Sequence, residues 1–128
     1  MSAPKPFANE HRLRTRKQLL YVRNNGVRAV GKRCVISAVA PPDATRKYAM
    51  VISRRFSRKA VDRNRARRLL RESYRLLLPR LEAAWIVFIP RQRMRGATLN
   101  HVLPEVERLL DELGLLEANA NGEGKREH

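Results

Sequence analysis

The chain has 128 residues, with 28 Lys and Arg against 12 Asp and Glu and a single cysteine. That length fits one domain with a modest core, and a formal charge of +16 points to nucleic acid first and an anionic membrane second. Cys34, alone and in an apolar run, excludes an internal disulfide and a Cys-rich zinc site and reads as a small core residue.

No apolar run approaches the roughly 18 residues of a membrane span, and no h-region opens the chain. A soluble, cytoplasmic protein in a reducing compartment is expected, with no membrane partner. The charge is unevenly placed: residues 1–100 carry 25 basic and 5 acidic side chains, residues 101–128 carry 3 and 7. The binding surface therefore belongs to the first hundred residues.

Residues 1–9, with Pro4 and Pro6, read as a flexible arm. Thr15 and Gln18 fit a T-x-x-Q capping box, which predicts a short helix over 16–24 ended by Gly26. Residues 27–30 and 33–40 are predicted strands, the second with Val35, Ile36 and Val39 as its apolar content. Pro41, Pro42 and Asp43 then connect to a further strand over 48–53, which runs straight into Arg54 and Arg55.

The segment 53–71 packs nine Lys and Arg against Asp62 alone. If 61–78 is helical, a rotation of about 100° per residue puts Ala66, Leu69, Leu70, Ser73, Leu76 and Leu77 on one buried face. The opposite face carries Arg63, Arg67, Arg71 and Arg75 in an i, i+4 ladder, with Asn64 and Arg68 beside it and Arg65 at its edge. Like charges at that spacing cost roughly 0.2–0.5 kcal/mol per pair, which a polyanion would relieve. With 22 Arg to 6 Lys in the chain, the phosphate-matching guanidinium is the preferred cation.

Pro79 stops that helix, and 84–89 (A-W-I-V-F-I) predicts a buried central strand in which Trp85 and Phe88 are core rather than base-stacking. Thr98 caps a last helix with Leu99, Val102, Leu103, Val106, Leu109, Leu110 and Leu113 as its stripe and Gly114 as its stop. Pro104 should kink it or delay its start. Residues 117–128 read as a disordered tail. The fold class is α+β, a single mixed β-sheet packed by helices in the order α-β-β-β-α-β-α, with 10–116 as one RNA-binding domain.

Catalytic chemistry has no foothold in this pattern. The acidic residues of the basic region, Glu10, Asp43, Asp62, Glu72 and Glu82, are too scattered for a metal nuclease, and His11, His101 and His128 share no ligand spacing. A leucine zipper fails because Pro79 arrives before any seam develops, and helix-turn-helix fails because the helix lies between two strands. Binding RNA without cutting it is the reading that survives.

The stretch 53–74, S-R-R-F-S-R-K-A-V-D-R-N-R-A-R-R-L-L-R-E-S-Y, resembles the signature of the bacterial ribonuclease P protein component, in which a strand, a basic loop and an R-N-R-x-(K/R)-R-L-x-R-E helix follow one another. Arg63, Asn64, Arg65, Arg67, Arg68, Leu69, Arg71 and Glu72 fall on that pattern, and Arg54 and Arg55 match its basic pair. R-L-R-T-R-K-Q-L-L-Y-V near the start, with Arg12, Leu13 and Gln18, extends the resemblance over roughly 10–112.

The resemblance implies a left-handed β-α-β crossover, against the general rule for such units. It implies the protein subunit of an endoribonuclease whose catalytic groups lie in a large RNA. That RNA removes the 5′ leader of precursor tRNA with Mg2+, and no small-molecule substrate or catalytic residue of this chain is involved. The catalytic RNA would be contacted by Arg54, Arg55, Arg58, Lys59, Arg63, Asn64, Arg65, Arg67, Arg68 and Arg71, with Asn64 shaping the helix start or a hydrated-metal site. The leader would lie in a cleft between the first helix and the sheet, near Arg12, Arg14, Leu19, Arg23 and Ser37. There the chain departs from the family: two helix phenylalanines are Leu19 and Arg23, and sheet aromatics are Ser37 and neighbouring Cys34. Tyr21 points about 200° away from Leu19. The alternative is a ribosomal-type protein that neutralises rRNA without a catalytic partner.

Overall fold

The computed structural model describes residues 12–117, so the expected arm and all but the first residue of the expected tail lie outside it. The elements are α1 (Arg16–Asn25), β1 (Val27–Val30), β2 (Cys34–Val39), β3 (Lys47–Met50), α2 (Ala60–Leu77), β4 (Trp85–Pro90) and α3 (Leu99–Glu112), with short 3-10 turns at Leu78–Arg80 and Gln92–Met94. Their order is the predicted one. The sheet runs β1-β2-β4-β3, antiparallel in its first two pairings and parallel between β4 and β3. β3, α2 and β4 therefore form a parallel crossover between neighbouring strands.

The near-continuous apolar run of β4 is explained by its place. It pairs on both edges, and both of its faces are covered. Ile86 and Phe88 join Cys34, Ile36, Ala38 and Tyr48 in a core closed by α2 and α3. Trp85 and Val87 join Leu13, Val22 and Ala49 in a smaller core under α1. Burying each large side chain stabilises the fold by roughly 1.5–3 kcal/mol before chain entropy is counted.

α1 begins at its capping box, where Gln18 N–H donates to Thr15 Oγ1 at 3.1 Å and Thr15 N–H to Gln18 Oε1 at 3.2 Å. It buries Val22 alone among its residues, so it is held by the sheet rather than by its own propensity. α2 starts one residue earlier than expected and ends where Leu78 and Pro79 tighten into the 3-10 turn. Its buried stripe is Ala66, Leu70, Ser73, Tyr74 and Leu77. Two positions of the expected face are corrected: Leu76 is 42% exposed, and Tyr74 takes its place, packed between the rings of Tyr48 at 4.4 Å and Phe88 at 6.2 Å. The i, i+4, i+7, i+8, i+11 spacing centres the stripe on the tyrosine, which the apolar pattern alone underweighted.

α3 runs unbroken from Leu99, so Pro104 neither delays nor divides it. Asn100 and Pro104 are both exposed, which leaves the carbonyl that proline cannot bond open to water. His101 completes the cap, its Nδ1 accepting from the Thr98 N–H at 3.2 Å.

One buried carboxylate ties α3 to the β1–β2 turn. Glu105 accepts from Arg33 N–H at 2.7 Å, Cys34 N–H at 3.1 Å and Arg33 Nη1 at 3.0 Å. A Cβ on Gly31 would collide with Glu105 Oε2, so glycine is what lets the carboxylate reach the turn. Replacing Glu105 with Ala strands buried donors, and a loss of about 2–3 kcal/mol is expected in urea unfolding. Gln in its place, keeping one acceptor, should lose less.

Candidate nucleic-acid interface

The loop between β3 and α2 is built to present cations. Phe56 is buried beneath it, and Ser57 folds it by accepting from Lys59 N–H at 3.1 Å while donating to Asp62 Oδ2 at 2.7 Å. Arg54, Arg55, Arg58 and Lys59 then line an open recess of about 760 Å³ that Gln92 and Arg95 complete. Asp62 is thus consumed by the loop and by Arg95, whose Nε lies 3.8 Å away.

The arginines expected to act together divide into two groups. Arg63 donates from Nη1 to the Ser57 and Arg58 carbonyls at 2.9 and 3.0 Å, and Arg65 from Nη2 to the Ala97 carbonyl at 2.9 Å. Arg67 donates to Asn64 Oδ1 at 3.0 Å. Arg54, Arg55, Arg58, Lys59, Arg68 and Arg71 make no side-chain hydrogen bond or ion pair among the described residues. Arg75 leaves the ladder, because Glu72 pairs with it and is held below the usual carboxylate range by that bond. The predicted repulsion is therefore partly relieved within the protein.

Asn64 does not shape the helix start. It sits in the second turn, while the helix opens after Lys59 without a side-chain cap. Among the described residues no three His, Cys, Asp or Glu side chains gather to hold a metal ion, and Asn64 Oδ1 accepts a bond from Arg67.

A second concavity of about 610 Å³ lies between α1 and the opposite face of the sheet. Leu19, Arg23 and Ser37 line it as expected, whereas Arg12 and Arg14 do not: Arg12 bridges to Tyr48 beyond β3, and Arg14 N–H caps onto Gln18 Oε1 at 2.7 Å. Its floor is Val51, Val87 and Ile89, and Arg16 and Arg28 add charge at its walls. Those five were not singled out from sequence. Arg16, three residues before Leu19, was findable from helical spacing; Arg28 needed the hairpin register that sets it opposite Ser37.

Cys34 lies on the other face of β2 from Ser37, as an odd separation in a pleated strand requires, and so does not border this groove. Burial, and secondarily Glu105, push its thiol up to about 12, which makes it an inert core residue. Tyr21 packs edge-on against Trp85 at 5.9 Å, and Trp85 Nε1 donates to Thr45 Oγ1 at 3.0 Å. Neither aromatic lines the groove.

A family model described as Ribonuclease P matches residues 7–114. The chain belongs to this family. It is 36% identical over 102 residues to the ribonuclease P protein component of Picosynechococcus sp., covering 79% of this chain and 88% of that one. With the ribonuclease P protein component of Chloroflexus aurantiacus it shares 40% identity over 114 residues, 87% and 83% of the two chains. The fold is similar to that of an RNase P protein from Staphylococcus aureus, a mutant defective in mRNA degradation activity, at a TM-score of 0.78, 17% identity and 84% and 92% coverage. The RNase P protein from Thermotoga maritima gives 0.67, 24% identity and 80% and 94% coverage. No helix among the described residues is long and apolar enough to cross a membrane.

In this ribonuclease P family member, anchoring and free arginines should separate by stability. Arg65→Ala removes a bond that ties α2 to the β4–α3 connection and should cost about 1–2 kcal/mol in urea unfolding. Arg68→Ala and Arg71→Ala should change stability by less than about 0.5 kcal/mol.

Proposed function

We propose that the protein is the protein subunit of ribonuclease P, docking on the catalytic RNA through the β3–α2 loop and the solvent face of α2. The groove between α1 and the sheet takes the single-stranded 5′ leader of precursor tRNA. The observation that carries this reading is the set of six cations on the loop and α2 whose side chains no group among the described residues partners, in a chain of this family. Cations left without a partner among these residues, on a backbone that the carbonyl-bound Arg63 and Arg65 brace, suit charge-assisted contacts to phosphates.

In this reading the RNA holds the magnesium ions, which would supply the activated water and leaving-group stabilisation. Arg68 and Arg71 would neutralise RNA phosphates, Arg63 and Arg65 would fix the loops around them, and Arg16, Arg23 and Arg28 would follow the leader backbone. Among the described residues no ring on which a base can stack lines the groove, so in this reading leader binding leans on charge.

Mixing the purified protein with a transcript of the same organism's catalytic RNA should allow leader removal from precursor tRNA at magnesium concentrations where the RNA alone is slow. Equal rates with and without protein would sink the reading. Placing a ring in the groove with Leu19→Phe adds stacking of about 1 kcal/mol, so precursor tRNA with a single-stranded leader should bind about fivefold tighter. Mature tRNA, having no leader, should show no such gain.

A further inference from the structure

We infer that the protein carries a second RNA-contact element outside α2 and its loop: the turn after β4, through Arg93, together with Lys32 in the β1–β2 turn. The inference rests on the RNA-docking reading above and extends it to a surface that the R-N-R segment does not include.

The topology brings the parts together. Cys34 at the start of β2 pairs with Pro90 at the end of β4, and β3 runs parallel to β4. The turns at 31–33, 51–59 and 91–97 therefore emerge at one end of the sheet. They are also bonded to one another. Arg91 N–H donates to the Arg33 carbonyl at 2.7 Å, Arg91 Nη1 to the Gly31 carbonyl at 2.8 Å, and Gln92 Nε2 to the Arg55 carbonyl at 2.6 Å. Rigid spacing of that kind suits a folded RNA better than a mobile strand.

Lys32, Arg91, Gln92 and Arg93 line a recess of about 360 Å³, and Gln92 also lines the larger recess of Arg54, Arg55, Arg58 and Lys59. The two share a wall, so the positive surface is continuous from α2 to the β1–β2 turn. Among the described residues, the acids bonded into these turns are already engaged, Glu105 by Arg33 and Asp62 by Ser57 and Arg95. Lys32 and Arg93 are exposed and have no side-chain partner among the described residues. No aromatic among the described residues lines their recess, which fits phosphates rather than stacked bases.

The double variant K32A/R93A tests this without touching the bonds that hold the turns. Binding of an in vitro transcript of the same organism's ribonuclease P RNA is measured against salt, beside R68A/R71A and a charge-matched control, K17A/R46A, at exposed positions outside both surfaces. Each lost phosphate contact lowers the salt slope by about 0.7–0.9, so K32A/R93A should lower it by about 1.5 and weaken binding about tenfold near 150 mM salt. The control should shift it much less. An equal loss in the control makes the effect net charge alone and overturns the inference. Unchanged binding by K32A/R93A, with R68A/R71A weakened, overturns it while leaving the docking reading intact. Failure of the unmodified protein to bind the transcript removes the docking reading, and the inference with it.

Discussion

Strand β4 is hydrogen-bonded on both edges and covered on both faces, and the remaining elements are placed by those contacts. β2 and β3 occupy its edges, α2 and α3 lie over Ile86 and Phe88, and α1 lies over Trp85 and Val87. Because β3 is parallel to β4, the chain must cross the sheet between them, and that crossover is the basic helix itself. A helix with so many cations could not sustain itself by propensity; its stripe from Ala66 to Leu77 is fixed against a sheet whose centre is already dry.

The same constraint gives the two candidate surfaces different characters. The groove under α1 has hydrophobic floor residues from β4 with arginines at its walls, so it is half apolar and half charged. Among the described residues, the loop end of the sheet offers Phe56 as its one apolar lining residue, and its recesses are otherwise lined by cations, Ser57 and Gln92. One surface suits a chain with exposed bases, the other an already folded backbone. Glu105 serves both the fold and this division, because it fixes the β1–β2 turn against α3 while occupying Arg33.

Much of this was legible in the sequence because the signals were local. The Thr15–Gln18 box, Gly26, Pro79 and the run at 84–89 each specify their element without long-range help. What escaped notice depended on which residues meet across the sheet. The odd separation of Cys34 and Ser37 places them on opposite faces, Tyr74 finds its ring partners only once β3 and β4 are adjacent, and Arg28 reaches the groove only through its register with Ser37. Arginine roles were the least legible, since a guanidinium that braces a loop and one that faces solvent look alike in a charge run.

That bracing bears on why the chain prefers arginine to lysine so strongly. Arg63, Arg65 and Arg91 are held by backbone carbonyls rather than carboxylates. A neutral acceptor fixes the side chain in place and leaves its full charge standing. A planar fork with several donors can hold a carbonyl with one nitrogen and still offer others outward, which a single ammonium does far less well. The scaffold and the electrostatic field are thus made of the same atoms: the surface is stiffened without being discharged, as acidic cross-links would have done.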